Sequence, residues 1–144
     1  MNVLFVRLTM TAALAAWAGP APAETVPLTP GYYEVVVSGA PGGGTQTRKR
    51  CVTVEHVADP DSVFNYAFAK PYKPLPDHKV INYASQGGAI SYDVETSFTM
   101  THVEGTVSSS EFSIVRTTKA KSGKGTAVTM KLDGKRTRDC HKGE

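Results

Sequence analysis

From Gly31 to its end the chain is dominated by alternation of apolar and polar residues. Ile90, Tyr92 and Val94 alternate with Ser91, Asp93 and Glu95. Phe112 and Ile114 alternate with Glu111 and Ser113, and Val128, Met130 and Leu132 with Ala127, Thr129 and Lys131. A period of two puts one set against a core and the other in water, as in an antiparallel strand with one wet face. Gly31–Ser38 carries Tyr33, Val35 and Val37 on one face and Val36 on the other, which predicts a strand covered on both sides. Glycine and proline in Gly39–Gly44 break that strand, and Thr45–Thr53 resumes it. His78–Ser85 runs into a Gly87-Gly88 turn. Phe98–Ser108 is a further strand with two candidate buried faces: Thr101, Val103, Gly105 and Val107, or Met100, His102, Glu104 and Thr106. Ser108–Ser110 and Lys119–Lys124 (KAKSGK) read as turns. Asp133-Gly134 reads either as a tight turn or as a bulge in one long final strand that ends near Cys140.

One segment departs from this pattern. Asp59 is a good helix cap and Pro60 suits the first helical position. Val63, Phe64, Ala67 and Phe68 then recur at helical spacing, predicting one short helix over about 60–69. Pro71, Pro74 and Pro76 stop it and form a stiff connector.

The fold class is therefore mainly β: a seven- to eight-stranded antiparallel meander with one short helix. Such a sheet must protect its edges, as a small barrel or as a strongly curved sheet wrapped over the helix. The expected inward set is Tyr33, Val35, Ile90, Tyr92, Phe112, Ile114, Val128 and Met130.

The beginning of the chain has a different character. A single charge, Arg7, precedes an apolar run from Leu8 to Ala18, and the stretch closes on Ala21-Pro22-Ala23. This is the layout of a secretory signal, and the run is shorter than the roughly 20 residues that span a bilayer. It predicts export to the periplasm, cleavage after Ala23, and a single β-rich domain over 24–144. The formal charge of +3 includes Arg7 and is too slight to argue for a polyanion partner.

Export changes the reading of the two cysteines. In an oxidising compartment Cys51 and Cys140 are expected to pair, tying the second strand to the last. Arg48, Lys49 and Arg50 would then approach Lys135, Arg136 and Arg138 and could form one basic surface patch. The plainer reading of these charges is a solvated strand edge that opposes aggregation.

Candidate chemistry is sparse. His56, His78, His102 and His141 stand at no metal-ligand spacing, and no nucleophile motif is present. Glu34, inside an apolar strand, is either a functional carboxylate or an exposed partner of a basic neighbour. Gly123-Lys124-Gly125-Thr126 lacks the leading glycine of a phosphate loop, since Thr118 stands there. No catalytic, cofactor-binding or metal-ligating residue is assigned.

Four motifs together resemble the DUF3617 family of small exported proteobacterial proteins of unknown function. Leu28-Thr29-Pro30-Gly31-Tyr32-Tyr33-Glu34 is similar to the family's opening L-x-P-G-x-W-E, and Arg50-Cys51-Val52-Thr53 to its R-x-C-x-T block. Gly87-Gly88-Ala89-Ile90-Ser91-Tyr92 is similar to its G-G-x-x-S-Y hairpin, and Gly134-Lys135-Arg136 through Asp139-Cys140 to its closing G-R-R-x-G-D-C. Tyr33 replaces a common tryptophan, and His78 and about Thr96 stand where two further cysteines often occur. The resemblance implies the same outer bridge, Cys51–Cys140, and carries over no catalytic residue. The resulting expectation is a non-enzymatic binding or structural module of the cell envelope. Its partner would be an envelope protein or lipid component rather than nucleic acid. The alternative is a lipocalin-like carrier of a small apolar ligand.

Overall fold

The computed structural model describes residues 25–65 and 77–144. The expected signal, the helix beyond Asn65 and the proline connector through Pro76 lie outside the described residues.

Seven strands form one antiparallel sheet: β1 (Gly31–Ser38), β2 (Thr45–Val52), β3 (Lys79–Gln86), β4 (Ala89–Glu95), β5 (Thr99–Val107), β6 (Glu111–Ala120) and β7 (Val128–Arg138). Their order is β2-β1-β7-β6-β5-β4-β3, so the sheet is open, with β2 and β3 at its two edges. Strands β3 to β7 are a true meander. The β1–β2 hairpin docks against the last strand, and β1 lies inside the sheet between β2 and β7. A simple meander was expected, and the difference is one of partner choice rather than of local structure.

The connection from β2 to β3 must cross from one edge of the sheet to the other. It carries two short helices, α1 (Val54–Val57) and α2 (Pro60–Phe64). The first was not anticipated. The second begins as predicted, with Asp59 accepting from the Ser62 amide at 3.3 Å and Pro60 in the first turn. It ends at Phe64 because Asn65 is already extended (φ −93°, ψ 99°). All five residues of α2 are buried. The helix covers the inner face of the sheet: Phe64 meets Phe112 of β6 edge-on at 5.2 Å, and the Tyr92 hydroxyl of β4 donates to the Pro60 carbonyl at 2.9 Å.

The inner face is thereby filled. Tyr33, Val35, Ile90, Tyr92, Phe112 and Ile114 are buried as expected, with Val103, Val107 and Leu132. Strand β5 turns its Thr101–Val103 face inward, where Thr101 and Thr118 share a hydroxyl hydrogen bond at 2.9 Å. Two of the expected inward residues are not core. Val128 is 39% exposed and Met130 is only partly buried, at the start of β7. Val36 is likewise exposed, so β1 is covered on one face only.

Asp133-Gly134 is neither a turn nor a bulge but continuous strand, paired with Val36 and Val35 on one side and Ser113 and Phe112 on the other. Glycine is required there because a Cβ would fall within the Phe112 ring. The irregularity of β7 lies further on, opposite Tyr32 and Tyr33.

The lead-in before β1 is part of the core. Val26 and Leu28 are buried, and the Val26 amide donates to Val57 of α1 at 2.9 Å. The Tyr33 hydroxyl donates to the Thr29 carbonyl at 2.7 Å, so the tyrosine still supplies a donor where the resemblance leads one to expect an indole. Burial pushes this phenol up to about 12, against a lowering by Arg136.

Candidate functional site

The six basic residues that sequence placed in one patch are separated by β1. Register sets Arg50 and Arg136 on either side of Tyr33, and Lys49 and Lys135 on either side of Glu34. Because neighbouring residues on a strand point to opposite faces, this sends the two sets to opposite sides of the sheet. Arg50 caps the C-terminal end of α2, donating to Ser62 at 2.9 Å and Asn65 at 3.1 Å, and burial lowers its guanidinium to about 10. Arg136 donates to the Pro30 carbonyl at 3.1 Å and pairs with Asp139. Arg48 bonds Gln46, and Arg138 stacks over the Tyr32 ring at 3.9 Å while pairing with Glu144. On the outer face Lys49 lies 3.5 Å from Glu34 and Lys135 3.4 Å from Glu111. These cations do not form one patch; each is engaged by its own neighbours.

Cys51 and Cys140 do form a disulfide, with Cα atoms 5.6 Å apart. Tyr32 of β1 pairs with both Cys51 and Arg138, so the residues after Arg138 bring Cys140 past β1 to Cys51, and the bridge clasps edge strand β2 to the segment that follows β7. It does not join the two edges of the sheet.

The outer face, away from the helices, carries the open space. A trough of about 730 Å³ runs over β1, β7, β6 and β5 beside the Gly87-Gly88 turn. Glu34, Glu111, Asp133 and Lys135 wall it, and Val36 contributes apolar surface. A second trough of about 550 Å³ continues over β3 to β6, and Thr106 lines both. The rim is stiffened by cross-strand pairs. Lys131 reaches Asp133 at 3.0 Å and Ser113 donates to Asp133 at 2.7 Å. Burial works against the charge on Asp133, yet the Ser113 and Lys131 bonds hold its carboxyl below the usual range. Glu34 is therefore an exposed residue of the trough with a basic partner, the plainer of its two readings. No residue pattern pointed to this trough, since its lining is drawn from four strands and two turns that only the register brings together.

A second polar cluster lies beneath α2. Asp61 and Arg116 pair at 3.1 Å with side chains 4% and 7% exposed. His78 Nδ1 lies 2.6 Å from the other Asp61 oxygen. An Asp–His pair beside a serine suggests hydrolytic chemistry, but Ser62 Oγ is buried and makes no hydrogen bond among the described residues. The geometry instead neutralises a buried arginine and anchors the helix. Sequence gave no signal for it, because the three residues come from separate elements. His102, on the outer face, lies 2.8 Å from Asp93 and 3.7 Å from Glu104. Among the described residues no group of three or more histidines, cysteines and carboxylates comes together to hold a metal ion.

No helix among the described residues is long and apolar enough to cross a membrane. No protein-family model, curated protein or solved structure matches the chain.

Proposed function

We propose that this protein is an exported, non-enzymatic binding module of the cell envelope that receives its partner on the outer face of a disulfide-clasped sheet. The observation that carries this reading is the pair of adjoining troughs on one side of a sheet whose other side is filled by side chains and helix. A rigid sheet with a packed inner face can present its outer residues without reorganising, which lowers the ordering cost of binding. The signal-like segment up to Ala23 supports export, and the four DUF3617-like motifs support the same setting. The open sheet order favours a surface partner over a ligand enclosed as in a lipocalin-like carrier, which needs a closed wall.

Native mass spectrometry of protein recovered from the periplasm tests this reading, with Thr106→Trp as the blocked form. A bound molecule or partner carried by the wild type and lost from T106W is the expected result. Equal retention by both forms, or a bare mass for both, overturns it.

A further inference from the structure

Phe98 is 79% exposed, the most exposed of the large apolar residues among those described. It stands at the turn between β4 and β5, at the opposite end of the strands from the Gly87-Gly88 turn and the larger trough. The turn is tightly held. Thr96 Oγ1 accepts from the amides of Phe98 at 3.2 Å and Thr99 at 2.9 Å, and the Thr96 amide donates to Thr99 at 3.0 Å. Ser97 is tied to Asp77 through both its amide and its hydroxyl. The ring is thus held out in water by a fixed turn.

Several lysines stand at the same end of the sheet. The Lys121 amide donates to the Phe98 carbonyl at 2.9 Å, which lays the start of the β6–β7 loop, the loop that also carries Lys124, against the turn. Register then places Lys119 opposite Met100, Met100 opposite Glu95, and Glu95 opposite Lys79, a row across four strands at this end. Lys121 is paired with Glu95 at 2.8 Å. Counting Lys79, Lys119, Lys121 and Lys124 against Glu95 and Asp77, this end of the sheet keeps an excess of positive charge. Val128, also exposed, opens β7 at the same end.

We infer that this end of the sheet docks on an anionic lipid surface, with Phe98 entering the headgroup region and Lys119, Lys121 and Lys124 facing lipid phosphates. Aromatic rings favour the membrane interface, and lysines within a Debye length of an anionic leaflet add attraction. A single projecting ring beside several lysines fits a lipid surface, which accepts shallow insertion and has no shape to match. The outer-face troughs take no part in it, so either reading can fail alone.

The test places a probe at the tip. Trp17 is the only tryptophan of the sequence, so F98W in a W17F background reports this position alone. Binding through the apolar stretch at Leu8–Ala18 does not register in that signal. With vesicles of mixed phosphatidylglycerol and phosphatidylcholine, the emission should shift to the blue and be quenched by brominated acyl chains. With phosphatidylcholine alone it should do neither. K119Q/K124Q should weaken partitioning roughly 25-fold, from about fivefold per lysine, and high salt should do the same. F98S, at an exposed position, should keep the thermal unfolding midpoint while losing most of the partitioning. Absence of a blue shift on anionic vesicles overturns the inference. So does vesicle binding that leaves the tip unquenched, or a blue shift that grows with protein concentration without lipid, which would assign the tip to a second copy of the chain.

Discussion

Asp61 of α2 meets Arg116 of β6 at 3.1 Å, and both side chains are more than nine-tenths buried. This contact fastens the helical crossover to the middle of the sheet. Removing one partner strands the other charge away from water, which typically costs about 3–5 kcal/mol. Asp61→Leu should therefore destabilise the fold by about that amount in urea unfolding, since it leaves Arg116 without its carboxylate, while Arg116→Met should cost less because Asp61 keeps His78. Asp61→Leu with Arg116→Met together should recover much of it, because no uncompensated charge remains. Additive losses in the double-mutant cycle would show that the pair does not act as a unit.

The disulfide gives a second expectation. Its cysteines are 89 positions apart, and the chain-entropy view assigns closure of such a loop about 4–5 kcal/mol. Cys51→Ala with Cys140→Ala should lower stability by about 2–5 kcal/mol in denaturant unfolding. The loss should be uneven. Strand β2 has only β1 as a paired neighbour, and the bridge is its second tether. Hydrogen exchange should rise first in β2 and leave β4 to β6 protected; a uniform rise would mean that β2 is not a separable unit.

His56 sets a dependence on pH. Its Nδ1 lies 3.1 Å from the Thr53 amide and accepts its hydrogen, so the ring must be neutral there. Burial, then the nearby Arg50, lowers its pKa below 6.5. As pH falls through 6.5 the unfolded chain takes up this proton while the folded chain resists it, so stability declines until the folded value is reached. His102 acts in the opposite sense. Its hydrogen bond to Asp93 raises its pKa, so its contribution is full below 6.5 and fades as pH rises through the folded value. Proton NMR should find the His56 midpoint below that of His102. His56→Gln keeps an acceptor at the third helical position and removes the titration, so the acid-side decline should shrink. An unchanged decline would place its origin elsewhere.

The residues that make each strand were legible along the chain because the period of two is local: Ile90, Tyr92 and Val94 face inward wherever their strand is placed. The Asp59-Pro60 helix start and the Gly87-Gly88 turn were legible for the same reason, since capping and positive φ depend on a few adjacent residues. The pairing of Cys51 with Cys140 followed from there being no other cysteine in the chain.

What only the tertiary structure decided is which strands lie side by side. Alternation cannot say that β1 sits between β2 and β7, since any strand with a matching apolar face would satisfy it. The sheet stays open because β2 and β3, its two edges, do not pair. The place of β1 puts Tyr33 between Arg50 and Arg136 and Glu34 between Lys49 and Lys135, dividing the basic residues between two faces. The same non-local register gathers residues from β1, β5, β6 and β7 into the outer trough and sets Lys119 beside the strand that follows Phe98. Periodicity records how a residue points. Partnership depends on the free energy of the whole sheet, and no short stretch of sequence contains it.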